Sequence, residues 1–388
     1  MDPPPPAFQT SSDSACVPTL DSSSPSQPTF PTNVPTHPLI IVDYEHIRAG
    51  DSTEIDQLWK AATTLGFWYL KNHGTTAEVD NMFAMGEDVM RLPIEEKMKY
   101  EQGDTGNSFG YKHAGANATN AAGAPDTIEF LNIAQDHALA APHPPAHRYP
   151  PCVPFPLVTA FVRRAAEVNL TLMRALGARL GLSRAFEARH ALGAPSGSEV
   201  RFTRNAVPRG PGEAMRKGIG AHTDFGSLSF VHNRLGGLQV LPPGSDEWQY
   251  VKPLPDHAVC NIGDALSILS GGILRSNLHR VVPPPPPQNH LPRTSLVFLT
   301  RPARDVVLRA LTEESALVRD AVEERQARGE DVTPYFGTST AGEWFERRIR
   351  GWRIRNREGP QTWIASRGTE GRDEGDIPDE TRAGEAVK

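Results

Sequence analysis

The chain has 388 residues, 40 basic against 46 acidic and a formal net charge of −6, and no long basic stretch, so nothing in its composition recommends nucleic acid as a partner. Its three cysteines, Cys16, Cys152 and Cys260, are too few and too scattered for a disulfide framework or a zinc spacing, which fits a reducing, cytoplasmic setting. No apolar run is long enough to span a membrane. The expectation is a soluble protein, working as a monomer.

Residues 1–37 are rich in Pro, Ser and Thr, without a basic start or an apolar stretch. They read as a disordered tail. In the N-terminal region, 38–155, Leu39 to Asp43 suits a short buried strand. Apolar Ile55, Leu58, Trp59 and Ala62 then recur at helical spacing after Ser52. Gly66 to Leu70 reads as a second strand, closed by a turn from Lys71 to Gly74. Phe109 and Tyr111 suit either a substrate mouth or core packing.

Residues 156–198 hold a long helical segment. Phe161, Ala165, Val168, Leu172, Leu176 and Leu180 form one stripe between Leu157 and Leu180 that faces a core. From 199 to 302 the texture changes to short strands separated by Gly and Pro turns: Leu228 to Val231, Gly237 to Leu241, Trp248 to Val251, Ala258 to Ile262 and Ser295 to Leu299. Such spacing predicts a β-sandwich or barrel, so the whole chain reads as mainly β with flanking helices. Residues 303–366 read as a C-terminal helical extension. There Arg347, Arg348, Arg350, Arg353 and Arg355 alternate with Trp344, Ile349 and Trp352, as in an amphipathic helix lying on the body. Residues 367–388 are polar and read as a second tail.

Within GIGAHTDFGSLSF at 218–230, His222 and Asp224 stand two apart, so a strand would aim both side chains at one point. Two such groups are hydrogen bonded, solvated or share an ion. An isolated His-x-Asp is usually an exposed pair or a satisfied core histidine. A third group changes the balance. His279, followed by Val281 and Val282, reads as a residue on another strand facing the same interior. Two imidazoles and one carboxylate match the facial triad of non-haem iron(II) oxygenases, which leaves coordination positions open.

Fourteen positions further on, Arg293 and Ser295 share one face of a strand. An arginine there can fork onto a carboxylate through two charge-assisted hydrogen bonds. The other histidines carry no such signal: His73, His113, His232 and His257 read as surface or capping residues, and His143 and His147 sit in a Pro-rich loop. Gly236-Gly237 reads as a tight turn, since no helix start follows it to cradle a phosphate. The five prolines from Pro283 to Pro287 read as a stiff spacer.

HTD at 222–224, GGLQV at 236–240, NIGDAL at 261–266, LHRVV at 278–282 and RTS at 293–295 resemble, in order and spacing, the 2-oxoglutarate and iron(II)-dependent oxygenases of the isopenicillin N synthase-like family. PLIIVDY at 38–44, LGFWYLKNHG at 65–74 and FGYKHAG at 109–115 resemble that family's N-terminal region. The resemblance covers roughly residues 38–302. It implies a double-stranded β-helix, or jelly-roll barrel, with helices packed outside. It implies His222, Asp224 and His279 as iron(II) ligands, Arg293 with Ser295 as binders of 2-oxoglutarate, dioxygen as the other cosubstrate and ascorbate as an optional reductant. Where the family often offers the cosubstrate a tyrosine before a proline-containing turn, this chain offers Asn205, between Arg201 and Pro208.

The implied reaction couples oxidative decarboxylation of 2-oxoglutarate to hydroxylation, desaturation or ring closure of a small organic molecule, of the kind tailored in secondary metabolism. Retention of Asp224 argues against the related halogenases. The alternatives are an oxidase of the same fold that needs no 2-oxoglutarate, a non-catalytic ligand-binding barrel, and a zinc hydrolase, for which no general base is evident.

Overall fold

The computed structural model describes residues 28–140, 148–182, 184–207 and 217–369. Among the described residues there are twelve strands: β1 Ile41–Asp43, β2 Phe67–Lys71, β3 Gly110–Lys112, β4 Ile128–Ala134, β5 Glu199–Asn205, β6 Ile219–His222, β7 Leu228–Asn233, β8 Leu238–Val240, β9 Gln249–Tyr250, β10 Ala258–Ile262, β11 His279–Val281 and β12 Arg293–Thr300. They make an eight-stranded sheet ordered β1-β2-β10-β7-β12-β5-β4-β3 and a four-stranded sheet ordered β6-β11-β8-β9. β1 runs parallel to β2, and the other named pairs are antiparallel. From β5 onward the chain crosses repeatedly between the sheets, which is the winding of a double-stranded β-helix.

Period-two patterning explains how the large sheet faces two ways. On β12, Leu296 and Phe298 join the main core, while Arg293, Ser295, Val297 and Leu299 line a cavity between the sheets. On β5, Val200 and Phe202 face the core, and Arg201 and Thr203 face the cavity. The core is completed by the helix Phe155–Arg179, whose Phe161 meets Phe298 edge to face at 6.5 Å between centroids. A second helix, Thr76–Arg91, closes the same side. A Cβ on its Gly86 would lie 2.2 Å from the Phe202 ring, so the helix approaches the sheet there only because that residue is glycine. Each large apolar side chain buried in this layer contributes roughly 1.5–3 kcal/mol.

The stripe on the long helix is core, as its spacing predicts. The helix Thr76–Arg91 and the strands β3 and β4 are not among the elements read from the sequence, although Val79, Met82, Phe83, Val89 and Met90 recur at helical spacing and are buried; β4 is buried on nearly every residue, so it shows no alternation. Part of the expected N-terminal tail is packed. Phe30 stacks edge-on against Tyr250 at 6.1 Å, and Thr36 bridges to Tyr250 beside β9, while residues 1–27 lie outside the described part. At the other end Arg367 and Thr369 bond to the body.

The arginine cluster lies on and just after the helix Ala341–Trp352, which opens with a capping box between Thr340 and Glu343. Its buried stripe contains Arg348 beside Phe345 and Ile349. His73 and His232 are buried rather than exposed, packed with Phe230 in one aromatic cluster. His143 and His147 fall outside the described residues. Tyr111 is a core residue whose hydroxyl donates to Glu129 at 2.5 Å.

Candidate active site

His222 ends β6, His279 begins β11, and the two are direct cross-strand partners. Their rings stand 4.1 Å apart between centroids. Asp224 lies beyond the end of β6, so strand alternation does not aim it. A turn does, and it brings Oδ1 to 3.7 Å from Nε2 of each histidine.

Neighbouring groups decide which atoms face inward. Nδ1 of His222 is 2.9 Å from the Gly220 carbonyl and Nδ1 of His279 is 3.1 Å from the Asn277 carbonyl. A carbonyl only accepts, so each Nδ1 carries the proton and each Nε2 presents a lone pair. On Asp224, Oδ2 accepts from the Ser229 hydroxyl at 2.5 Å and the Asn261 amide at 2.8 Å, leaving Oδ1 for the centre. The three ligand atoms lie within 4.8 Å of one another, and among the described residues no other such group of three occurs. Burial, then the neighbouring His279, lowers the His222 pKa to about 3, so this imidazole is neutral at physiological pH. Burial disfavours the Asp224 carboxylate, while the two histidines when charged and the hydrogen bonds from Asn261 and Ser229 favour it, and the net direction is downward. Two imidazoles and one carboxylate on one side of a point fit an octahedral iron(II) with open positions.

Arg293 is 3 % exposed. Its Nε donates to the Gly236 carbonyl at 2.8 Å, Nη1 to the Ser295 hydroxyl at 2.8 Å and Nη2 to Asn233 Oδ1 at 3.0 Å. All three partners are neutral. Burial lowers its pKa to about 10, so the guanidinium stays charged, and among the described residues no carboxylate is paired with it. The glycine turn gains a role here. Gly237 has φ +107°, and a Cβ there would lie 2.4 Å from the Val282 carbonyl and 3.1 Å from Arg293. The proline loop returns Gln288, whose side-chain oxygen accepts from the Gly236 amide at 2.9 Å and so backs the same turn.

Asn205 is buried and stands opposite Arg293 in the β5–β12 register. Its side chain packs towards Gly218, and it is absent from the cavity walls among the described residues. Asn233, Ser229 and Asn261 are site residues that sequence reasoning did not single out. For the first two a signal existed: they share one face of β7 with Val231.

The triad, Arg293 and Ser295 line one cavity between the sheets. Through Ile128, Arg201, Ile219 and His222 it adjoins a second lobe, walled by Phe130, Trp352, Trp363 and Arg367. Trp352 meets the His222 ring edge to face at 5.5 Å. The lobe with the triad therefore sets its polar groups among apolar side chains such as Phe67, Leu238 and Val297, and the outer lobe carries the aromatic rings.

Residues 39–154 match the family model described as non-haem dioxygenase in morphine synthesis N-terminal, and residues 199–302 match that of the 2OG-Fe(II) oxygenase superfamily. The chain is 30% identical over 296 residues to 2-oxoglutarate-dependent dioxygenase frbH of Dothideomycetidae sp. (strain 11243), covering 73% of this chain and 88% of the relative. It is 31% identical over 231 residues to a leucoanthocyanidin dioxygenase of Perilla frutescens, covering 58% and 61% of the two chains. Among solved structures, a 2OG-Fe(II) oxygenase family protein from Caulobacter crescentus superposes with a TM-score of 0.63 at 26% identity, covering 81% of this chain and 99% of that one. A full-length Neurospora crassa protein in complex with alpha-KG superposes with a TM-score of 0.65 at 23% identity, covering 80% and 95%. No helix among the described residues is long and apolar enough to cross a membrane. With winding, donor set and both family regions in agreement, the chain belongs to the 2OG-Fe(II) oxygenase superfamily, as a dioxygenase that uses iron(II), 2-oxoglutarate and dioxygen.

Proposed function

We propose that His222, Asp224 and His279 hold the iron, that Arg293 and Ser295 hold the remote carboxylate of 2-oxoglutarate, and that the outer lobe receives a flat, largely apolar organic molecule for hydroxylation or desaturation. The carrying observation is Arg293, a buried cation on the cavity wall whose contacts are all neutral. A buried charge without a counter-ion is costly, and a dicarboxylate reaching from the metal would supply one.

Bound iron(II) and 2-oxoglutarate supply the activation of dioxygen and the oxidising power for an unactivated carbon. The chain positions, orients and excludes water. Carbonyls of Gly220 and Asn277 fix the two imidazoles, Ser229 and Asn261 fix the carboxylate, and Asn233 with Gly236 preorients the guanidinium. In the outer lobe Asp126 is already paired with Lys112, and Arg201 with Glu199, so neither is free for a charged substrate. The aromatic walls Phe130, Trp352 and Trp363 suit a planar ring system. Relatives named leucoanthocyanidin dioxygenase and feruloyl CoA ortho-hydroxylase support this substrate class and a place in secondary metabolism.

In this reading residues 199–302 form the catalytic barrel, 38–155 and the helical segment 156–198 buttress it, and the extension 303–366 closes the substrate lobe. Anaerobic addition of iron(II) and then 2-oxoglutarate tests the assignment. A visible charge-transfer band is expected in the parent protein, with none in His279→Ala of unchanged circular dichroism. Iron binding without a band, or turnover without succinate, would overturn the cosubstrate reading.

A further inference from the structure

We infer that Arg348 and Asp264 form a clamp that sets the position of Asp224, so that the C-terminal helix Ala341–Trp352 is part of the support of the metal centre. This rests on the reading of His222, Asp224 and His279 as metal ligands. Asp224 lies past the end of β6 and is not held in place by a ladder. The residue before it, Thr223, is fully buried and is gripped at two atoms. Its hydroxyl donates to Asp264 Oδ2 at 2.9 Å, and its carbonyl accepts from Arg348 Nη2 at 3.2 Å.

Arg348 Nη1 in turn donates to the same Asp264 oxygen at 2.6 Å, with both side chains at 0 % exposure. The other oxygen of Asp264 accepts from the Thr369 hydroxyl at 2.6 Å. The backbone N–H of Asp264 donates to the Asp224 carbonyl at 2.8 Å, and that of Ala265 to the Gly226 carbonyl at 3.0 Å. One aspartate therefore holds both residues 223 and 224, while the arginine ties this aspartate to a helix 84 positions away. Phe225 and Trp344 stack on the guanidinium at 4.2 and 5.3 Å. A Cβ on Gly368 would lie 1.8 Å from Asp264 and 1.9 Å from Arg348, so the backbone at this glycine closes tightly over the pair.

A buried ion pair is rarely the most stable filling for its space. What a well-packed apolar pair could not provide is the two-sided grip on Thr223, and supporting bonds of this kind typically matter ten- to a hundred-fold in metal affinity. Arg348 and Asp264 are thus positioning residues.

The test uses the full chain, stripped of metal and titrated with manganese(II) alone. Free ion is followed by electron paramagnetic resonance, and thermal unfolding is recorded in parallel. Thr223→Val removes one hydroxyl and leaves the ion pair intact; it is expected to weaken manganese binding about tenfold with little change in melting temperature. Arg348→Met is expected to weaken it further, and Arg348→Lys to recover part of the loss. Leu172→Ala, a cavity in the core away from the clamp, supplies a destabilised control with parent affinity. If the affinity of Thr223→Val equals that of the parent, or follows melting temperature along the line set by Leu172→Ala, the clamp is wrong. Should Arg348→Met fail to fold, Thr223→Val still decides. A parent protein that binds no manganese overturns the metal-centre reading itself, a result separate from variant and parent binding equally.

Discussion

Replacing Arg293 by methionine removes a charge and keeps much of the volume, and the structure gives opposite expectations for folding and for cosubstrate binding. Burial lowers this guanidinium from 12.5 to about 10, which costs the fold roughly 3 kcal/mol at neutral pH. The sign follows from the direction: a base with a lowered pKa is a burden at all pH values below its folded pKa, relieved only as pH rises through about 10. Against this stand three hydrogen bonds from the charged guanidinium, to Gly236, Ser295 and Asn233, each worth at least about 1.5 kcal/mol. The difference is about 1 kcal/mol in favour of the parent. The metal-free, ligand-free variant should melt within a few degrees of the parent.

Cosubstrate binding has no such compensation. Two charge-assisted hydrogen bonds to a carboxylate contribute at least about 3 kcal/mol together, so the dissociation constant for 2-oxoglutarate should rise by roughly a hundredfold. At a concentration one hundred times the parent's dissociation constant, 2-oxoglutarate stabilises the parent by about 2.7 kcal/mol and the variant by only about 0.4 kcal/mol. Anaerobic thermal unfolding of the iron-loaded proteins, with and without 2-oxoglutarate, reads both numbers in one experiment. Arg293→Lys, a point charge without the fork, should fall between them. A variant that keeps the parent's ligand-induced shift would refute the assignment of Arg293, whatever its turnover.

Acid stability should fall in a defined window. Burial lowers both His190 and His73 from 6.5 to about 4, so between those values the unfolded chain binds a proton at each that the folded chain does not; stability then rises with pH by about 1.4 kcal/mol per unit per histidine, and denaturant titrations from pH 4 to 7 check the slope. Trp352→Ala opens the outer lobe beside His222; substrate KM should rise by roughly ten- to two-hundred-fold, since hydrophobic lining discriminates by ~1–3 kcal/mol per group, and succinate release should become uncoupled from product, while the 2-oxoglutarate affinity measured by titration should be unchanged, because Trp352 does not line the cavity that holds Arg293. Asn205→Ala should change that affinity by less than about tenfold, about one net hydrogen bond, since Asn205 flanks Arg293 in register but does not line the cavity; a larger loss in the same titration would make it a direct cosubstrate ligand.

What was legible in the sequence follows the reach of local rules. Arg293 and Ser295 share a face because they are two apart on one strand, and the structure bonds them directly. His222 and His279 were legible as inward-facing strand residues, although Asp224 reaches the same point through a turn rather than the alternation expected of it. Ser229 and Asn233 obey the same alternation on β7, yet short polar residues on a strand usually face water, so the period alone gave no reason to choose them.

The partners of Thr223 lie beyond any such rule. Arg348 sits three residues after Phe345 and one before Ile349, inside the buried stripe of its helix. A hydrophobicity pattern assigns an arginine there to the solvent face. What reverses the assignment is Asp264, a carboxylate at 0 % exposure that makes the buried cation affordable. Pairing over 84 positions leaves no periodic trace in either segment. A buried charge that breaks the local pattern is therefore where a fold most often serves something other than its own stability, and here the broken pattern leads to the residue beside Asp224.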